Sequence, residues 1–321
     1  MGTEHLTPAQ GPARLIAVDW GTSSLRAARL DARGQVLEER ASAQGILHVP
    51  AGQFATVFEA NFGDWMKHGA TFSSENPCLT LISGMAGSQQ GWVEAPYRAC
   101  PAGFEELGAR LQWVVPGRVA IVPGLSCEHE GIPDVMRGEE VQVFGALQRL
   151  GLRDARLVLP GTHSKWVTVQ DQQVRHFRTF MTGEVFALLR QHSLLARTLP
   201  PLMDGQVQDV FDGPAFDDGV AHALRSASLL HTAFSTRTLA LFGRQPANAL
   251  ASYLSGLVIG EELRAQALAP GSDVIIIGSA ALQQRYERAL AQCQVSARCI
   301  GAEATWQGLW ALSQTLDRTP S

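Results

Sequence analysis

The sequence predicts an α/β chain of two similar lobes, each organised around a sheet. Its 321 residues exceed what one hydrophobic core usually organises, so two units of ordinary domain size are expected. Short β-branched apolar runs alternate with stretches of helical periodicity, which argues against an all-helical or all-β chain. The opening pattern of three consecutive strands then recurs in the second half, and long-period self-similarity of this kind points to a duplicated architecture.

Leu15 to Gly21 (LIAVDWG) is the first apolar run, followed by SLRAARLD and, after a turn at Ala32-Arg33-Gly34, by QVLEER. Three successive antiparallel strands are expected there. Phe54, Val57, Phe58, Phe62 and Trp65 keep to one helical face. Strands are expected at Cys78 to Gly84 and at Arg118 to Gly124, and a helix from about Glu139 to Leu150 opens the second half. RLVLPG, SKWVTVQ and QVRHFRTF follow as three strands, with a turn at Asp171-Gln172-Gln173. Aligning Gly21-Thr22 with Gly161-Thr162 sets Asp31 opposite Asp171, each ten residues beyond its glycine. From about Thr182 to Ala267 the pattern is mainly helical, broken by a loop from Leu199 to Gly219. DVIIIGSA enters a helix through Gly278-Ser279, and a strand near Val295 to Ile300 and a helix from about Ala302 to Leu316 follow. The expected division is a disordered tail over 1–13, an N-terminal lobe over 14–135, and a C-terminal lobe with a helical insertion over 136–321.

Hydrophobic residues make up 45% of the chain and charged residues 17%, with a net charge of −4. That balance suits a soluble globular enzyme, and there is no basic stripe for nucleic acid. No apolar run approaches the roughly 20 residues of a membrane-spanning helix, and the first residues lack the build of a secretory signal. Five cysteines, none in a CxxC pair, fit buried thiols in a reducing, cytoplasmic setting.

Asp19-Trp20-Gly21-Thr22-Ser23-Ser24 ends an apolar strand with a carboxylate, a glycine and three hydroxyls. Gly21 lets backbone approach phosphate oxygens, Thr22, Ser23 and Ser24 supply donors, and Asp19 suits hydrated Mg²⁺. Pro160-Gly161-Thr162-His163-Ser164-Lys165 repeats the arrangement, so Gly161, Thr162 and Ser164 are the second set of phosphate candidates, with Lys165 or His163 adding positive charge. Either turn alone also reads as an ordinary polar hairpin; the repetition is what favours phosphate. Gly278-Ser279, at a strand-to-helix corner, is a candidate adenosine platform. No GxxxxGK[ST] sequence is present, which disfavours a P-loop kinase. Cys127-Glu128-His129-Glu130 lacks metal-site spacing and reads as a polar loop. Ser255, Gly256 and Gly260 read as helix-packing residues.

These motifs, in this order, resemble the phosphate-1, phosphate-2 and adenosine pattern of the actin, hexokinase and Hsp70 ATPase superfamily. AVDWGTSSLRA, SGMAGSQQGWVEAPY, VMRGEEVQVFGA, LPGTHSKWV, FRTFMTGEVFALL and SGLVIGEEL more narrowly resemble the 2-dehydro-3-deoxygalactonokinases over nearly the whole chain. The resemblance implies a two-lobe ribonuclease-H-like fold with its active site in the interlobe cleft, and transfer of the ATP γ-phosphate to the 6-hydroxyl of 2-dehydro-3-deoxy-D-galactonate. Asp19, Gly21, Thr22 and Ser23 would then serve nucleotide and Mg²⁺, with Gly161, Thr162 and Ser164 completing the phosphate clamp. The wider superfamily often begins its second hairpin with an acidic residue, where this chain has Leu159-Pro160. The acid is therefore expected at Glu139 or Glu140, Glu139 first, at the helix start where related sugar kinases carry a catalytic aspartate. Helix N-termini also favour such residues for dipole reasons alone. Ser83, Gly84, Met85 and Gly87 are expected around the sugar, with Trp92 stacking on it and Arg98, Arg137 or Arg178 holding its carboxylate, Arg137 first by its place beside Glu139. Expected partners are ATP and a small sugar acid, with a homodimer as the assembly to test and neither nucleic acid nor membrane. The alternatives are a kinase of another sugar or sugar acid and a non-catalytic ATP clamp or sugar sensor of the same fold.

Overall fold

The structure, a computed structural model, describes residues 13–68, 78–200, 211–226 and 228–316. The tail expected over 1–13 falls outside these residues except for Ala13. Internal contacts group the chain into two compact units, one of residues 1–154, 167–177 and 302–321 and one of 155–166 and 178–301. These units are not contiguous in sequence, whereas the expected lobes divide at a single cut after residue 135. Residues 136–154 and 302–321 share the first unit through two helices described below, which pack on each other from distant parts of the chain.

In the first unit, β1 (Leu15–Trp20), β2 (Leu25–Leu30) and β3 (Val36–Ser42) form the expected antiparallel meander. Helix α1 (Phe54–His68) then leads to β4 (Leu79–Gly84), β5 (Arg98–Ala99), α2 (Phe104–Gly108), β6 (Gln112–Val115), β7 (Val119–Ile121), β8 (Leu125–His129), β9 (Ile132–Met136) and α3 (Glu139–Leu150). The main sheet runs β3-β2-β1-β4-β7-β6, with β4 parallel to both β1 and β7. Its core joins Ile16, Val18, Trp20 and Ile82 to Phe54, Phe58, Phe62 and Trp65, so the apolar face read from α1 is its buried face.

A smaller sheet, β5-β8-β9, includes Cys127 to His129, where a polar loop is expected from sequence. The correction follows from cross-strand pairing: β8 pairs with β9 through His129↔Ile132, and the chain reverses at Glu130 and Gly131, both with positive φ. Among the described residues no group of three His, Cys, Asp or Glu side chains can hold a metal ion.

Continuing, β10 (Ala155–Leu159), β11 (Ser164–Gln170) and β12 (Gln173–Phe180) give the second meander, turning at Asp171 and Gln172 with positive φ. Then come α4 (Thr182–His192), α5 (Gly213–Arg225), α6 (Leu229–Thr232), α7 (Ser235–Leu241), α8 (Leu250–Gln266), β13 (Asp273–Ile277), α9 (Ala280–Gln292), β14 (Ser296–Ile300) and α10 (Glu303–Leu316). This sheet runs β12-β11-β10-β13-β14. Both sheets thus place a three-strand meander beside parallel strands, β3-β2-β1 next to β4 and β7 in one and β12-β11-β10 next to β13 and β14 in the other, with β6 added antiparallel at the edge of the first; this is the ribonuclease-H-like layout twice over.

Glycines set the close helix pairs. A Cβ on Gly308 of α10 would lie 2.8 Å from Val141 Cγ1 of α3, so these two helices of the first unit approach nearly backbone to backbone. In the second unit a Cβ on Gly260 of α8 would lie 2.7 Å from Ala223 Cβ of α5. Gly256 and Gly260 therefore serve packing, as their spacing suggests. No helix among the described residues is long and apolar enough to cross a membrane.

Candidate active site

The first unit brings three chain segments together at the ends of β1 and β4. Parallel pairing sets Asp19 beside Ser83 and Trp20 beside Gly84. Gly84 has φ 95° and Gly138 φ 106°, backbone regions that favour glycine. A Cβ on Gly84 would stand 2.8 Å from the Trp20 carbonyl oxygen, and one on Gly138 would stand 3.3 Å from Gly84 Cα. Two glycines in contact thus place the start of α3 directly over the carboxyl ends of two strands.

At that start, the Arg137 amide donates to Glu139 Oε2 over 2.9 Å and the Gly138 amide donates to Glu140 Oε2 over 2.7 Å. Both expected glutamates therefore lie at this junction, with different exposures. Glu139 is partly buried, whereas Glu140 is fully buried. Burial pushes the Glu140 carboxyl up to about 8, with Glu139 adding to the rise. Among the described residues its Oε1 has no hydrogen-bond partner, and neither does the buried Ser83 Oγ.

Arg137 lies 4.3 Å over the Tyr97 ring and donates from Nη2 to the Ala95 carbonyl over 2.8 Å, while its buried Nε and Nη1 lack partners among the described residues. Gly87 leaves room for it, since a Cβ there would be 2.8 Å from Arg137 Nη1. Ser88 Oγ is a further unpartnered buried hydroxyl on the same loop. Such groups are costly unless something else completes them, which makes this cluster a reasonable seat for a polar anion. Met85 and Trp92, expected at the sugar, are partly buried and pack against the apolar core on one side; Trp92 meets Phe58 at 5.3 Å and Trp20 at 6.0 Å.

The first hairpin presents Thr22, Ser23 and Ser24 to solvent, with Gly21 half-buried. Its turn is closed by the Gly21 amide donating to the Ser24 carbonyl over 2.9 Å and steadied from behind by the Ile46 amide donating to the Gly21 carbonyl over 3.0 Å. Gly45 lies so close to the Ser23–Ser24 backbone that no side chain fits there. Asp19 accepts from Arg26 through Oδ2, while its Oδ1 faces the space that a Cβ on Gly84 would enter, 3.4 Å away. A carboxylate with one oxygen outside the Arg26 ion pair suits Mg²⁺, which keeps most of its waters.

In the second unit the turn at Gly161 exposes Thr162 and His163, and a Cβ on Gly161 would meet nothing within 4 Å among the described residues. The start of α4 packs beneath this turn. A Cβ on Gly183 would lie 2.9 Å from Thr162 Cα, the Glu184 amide donates to the Thr162 carbonyl over 3.0 Å, and His163 Nε2 donates to Glu184 Oε2 over 2.6 Å. Ser164 and Lys165 do not belong to the exposed part of the turn. Ser164 is fully buried with its hydroxyl 3.0 Å from Tyr286 Oη, and Lys165, 6% exposed, donates to Thr179 Oγ1 over 2.8 Å. Their hydroxyl and ammonium are taken up by these partners, and Ser164 to Val167 are buried in succession.

Beside Gly161 opens a cavity of about 290 Å³, mostly apolar, walled by α4 (Thr182, Gly183, Phe186), α8 (Ser255, Val258) and α9 (Arg285) among others. Gly278 and Ser279 are not in its lining. Gly278 is held by Gln283, whose Nε2 donates to the Gly278 carbonyl over 2.9 Å and to that of Ile300 over 2.8 Å. The corner thus orients α9, and Leu282, Arg285 and Tyr286 on that helix supply the wall.

A family model described as 2-keto-3-deoxy-galactonokinase matches residues 19–312. This chain belongs to that family. It is 35% identical over 308 residues to the "Probable 2-dehydro-3-deoxygalactonokinase" of Rhizobium meliloti, spanning 94% of this chain and 96% of the relative. It is 33% identical over 297 residues to the 2-dehydro-3-deoxygalactonokinase of Escherichia coli, spanning 92% and 95%. The crystal structure of a Sinorhizobium meliloti protein provisionally named 2-dehydro-3-deoxygalactonokinase superposes with a TM-score of 0.80 at 32% identity, covering 96% of this chain and 98% of that one. As a member of the galactonokinase family the chain is a carbohydrate kinase, and the fold shared with that solved structure is the two-lobe ribonuclease-H-like one expected from sequence.

The cavity walls on α8 were not marked as functional by sequence. Ala251, Ser255, Val258 and Ile259 recur at spacings that read as helix packing, and only the surrounding helices reveal an opening there. The signal that could have found it is the run of small residues through α8, which continues beyond the positions that α5 requires.

Proposed function

We propose that this kinase transfers the γ-phosphate of ATP to the 6-hydroxyl of 2-dehydro-3-deoxy-D-galactonate. The observation that carries the reading is the unpartnered polar cluster at Arg137, Ser83 and Ser88 beside Glu139, in a chain of this family. Arg137, with two donors open, is suited to the sugar-acid carboxylate. Glu139, half-exposed and held through Oε2, accepts the proton of the attacking hydroxyl. Glu140 is the buried brace: its bond to the Gly138 amide fixes the glycine turn that aims Glu139.

The reaction forms a bond from O6 to the γ-phosphorus and breaks that phosphorus's bond to the bridging oxygen, which leaves with ADP. Thr22, Ser23 and Ser24 on one hairpin and the open Gly161-Thr162 backbone on the other serve as phosphate donors. The cavity beside Gly161 is of a size and character for a nucleoside. Asp19 would hold Mg²⁺, which supplies charge neutralisation on the phosphates when bound. A cytoplasmic location belongs to the same reading, supported by five free cysteines.

Product analysis tests the position of transfer. Phosphorus-to-proton correlation on the purified product should connect phosphate to the C6 protons; connection to another carbon contradicts the assignment.

A further inference from the structure

A buried carboxylate in the second unit has no place in the chemistry above. Glu262 of α8 is 2% exposed and gathers three donors: Trp166 Nε1 to Oε1 over 2.6 Å, Tyr286 Oη to Oε2 over 2.8 Å, and Thr182 Oγ1 to Oε2. With the tyrosine proton directed at the carboxylate, the Ser164 hydroxyl 3.0 Å away donates to the tyrosine oxygen. Burial pushes the Glu262 carboxyl up, while these donors pull it back down.

The donors come from particular places. Ser164 and Trp166 belong to the strand that leaves the Gly161 turn. Thr182 precedes Gly183, on which the turn rests, and both Thr182 and Tyr286 line the cavity. One carboxylate therefore ties the strand after the turn, the helix start beneath it and a cavity wall to a single point.

We propose that Glu262 is a positioning residue for nucleotide binding, holding the Gly161-Thr162 turn and the cavity wall in their binding arrangement through Ser164, Thr182 and Tyr286. This rests on the kinase reading of the same site. Glutamine at 262 has the same shape, but its amide nitrogen must face at least one group that donates to the carboxylate, so the network is broken at one point. Alanine at 164 cuts the link to the turn without touching the cavity lining.

The test is calorimetric binding of Mg-ADP to the full chain, with melting temperature and the sugar-acid KM measured on the same samples. Glu262→Gln should weaken Mg-ADP binding about tenfold and Ser164→Ala about threefold, the order expected for losing bonds to a charged and to a neutral partner. The sugar-acid KM should not move. Ile276→Val, in the buried core of the same unit, should lower the melting temperature with no change in Mg-ADP affinity. Wild-type affinity in either network variant overturns the proposal, as does an equal loss in the core variant. If Glu262→Gln does not fold, Ser164→Ala decides alone. Failure of the unaltered protein to bind Mg-ADP would instead refute the kinase reading itself.

Discussion

Replacing Glu140 by glutamine should make the protein more stable at pH 8 and change little near pH 4.5. The Glu140 carboxyl rises from its ordinary 4.5 to about 8 in the folded state because it is buried and faces Glu139. Below pH 4.5 it is protonated folded and unfolded alike, and contributes nothing to the pH dependence. Between 4.5 and 8 the unfolded chain has lost this proton while the folded one retains it, so stability falls as pH rises through that window. At about 1.36 kcal/mol per pH unit, the accumulated penalty approaches about 5 kcal/mol by pH 8, an upper bound because relaxation and water entry reduce it. Glutamine cannot ionise and its oxygen still accepts from the Gly138 amide, so it escapes the penalty and leaves an unpaired amide group where Oε1 was already unpaired. Urea unfolding of both proteins across this pH range reads the difference directly. An advantage for Glu140→Gln that does not grow with pH, or a variant less stable than the parent at pH 8, would refute the reasoning.

Glu139→Gln should lower kcat by about 10²- to 10⁴-fold with the KM for ATP unchanged, in steady-state assays, since only proton acceptance is removed. Arg137→Ala should raise the sugar-acid KM about tenfold or more, the loss of a charged hydrogen-bonding partner, with ATP affinity unchanged; a melting-temperature comparison separates this from loss of its bond to Ala95 and its stacking on Tyr97.

Where the information is local, sequence carried the fold well. The two meanders, α1, α3 and the strand-to-helix corner at Gly278 follow from runs of apolar residues punctuated by Gly21, Gly34 and Gly161, each readable within a few positions. Strands β5, β6, β8 and β9 did not announce themselves, because segments such as Cys127-Glu128-His129 carry no β-branched run and become strands only through a partner. The site divides similarly. The convergence of Asp19, Gly84 and Glu139 follows from strand ends and a helix start, both visible in sequence. Ser164 looked like a phosphate ligand because its turn resembles the first one, yet its partner Tyr286 lies 122 residues away. Trp92 reads as a stacking platform, and the structure sets it partly buried against Phe58 and Trp20. Nothing in a linear reading locates those neighbours.

The most direct measurement is ADP release with Mg-ATP and purified protein, offered in turn 2-dehydro-3-deoxy-D-galactonate, its gluconate epimer, galactose, glycerol and no acceptor. Turnover stimulated by the galactonate derivative above all the others is the predicted result, and no acceptor-stimulated turnover with any of them would contradict the account and favour an ATP clamp.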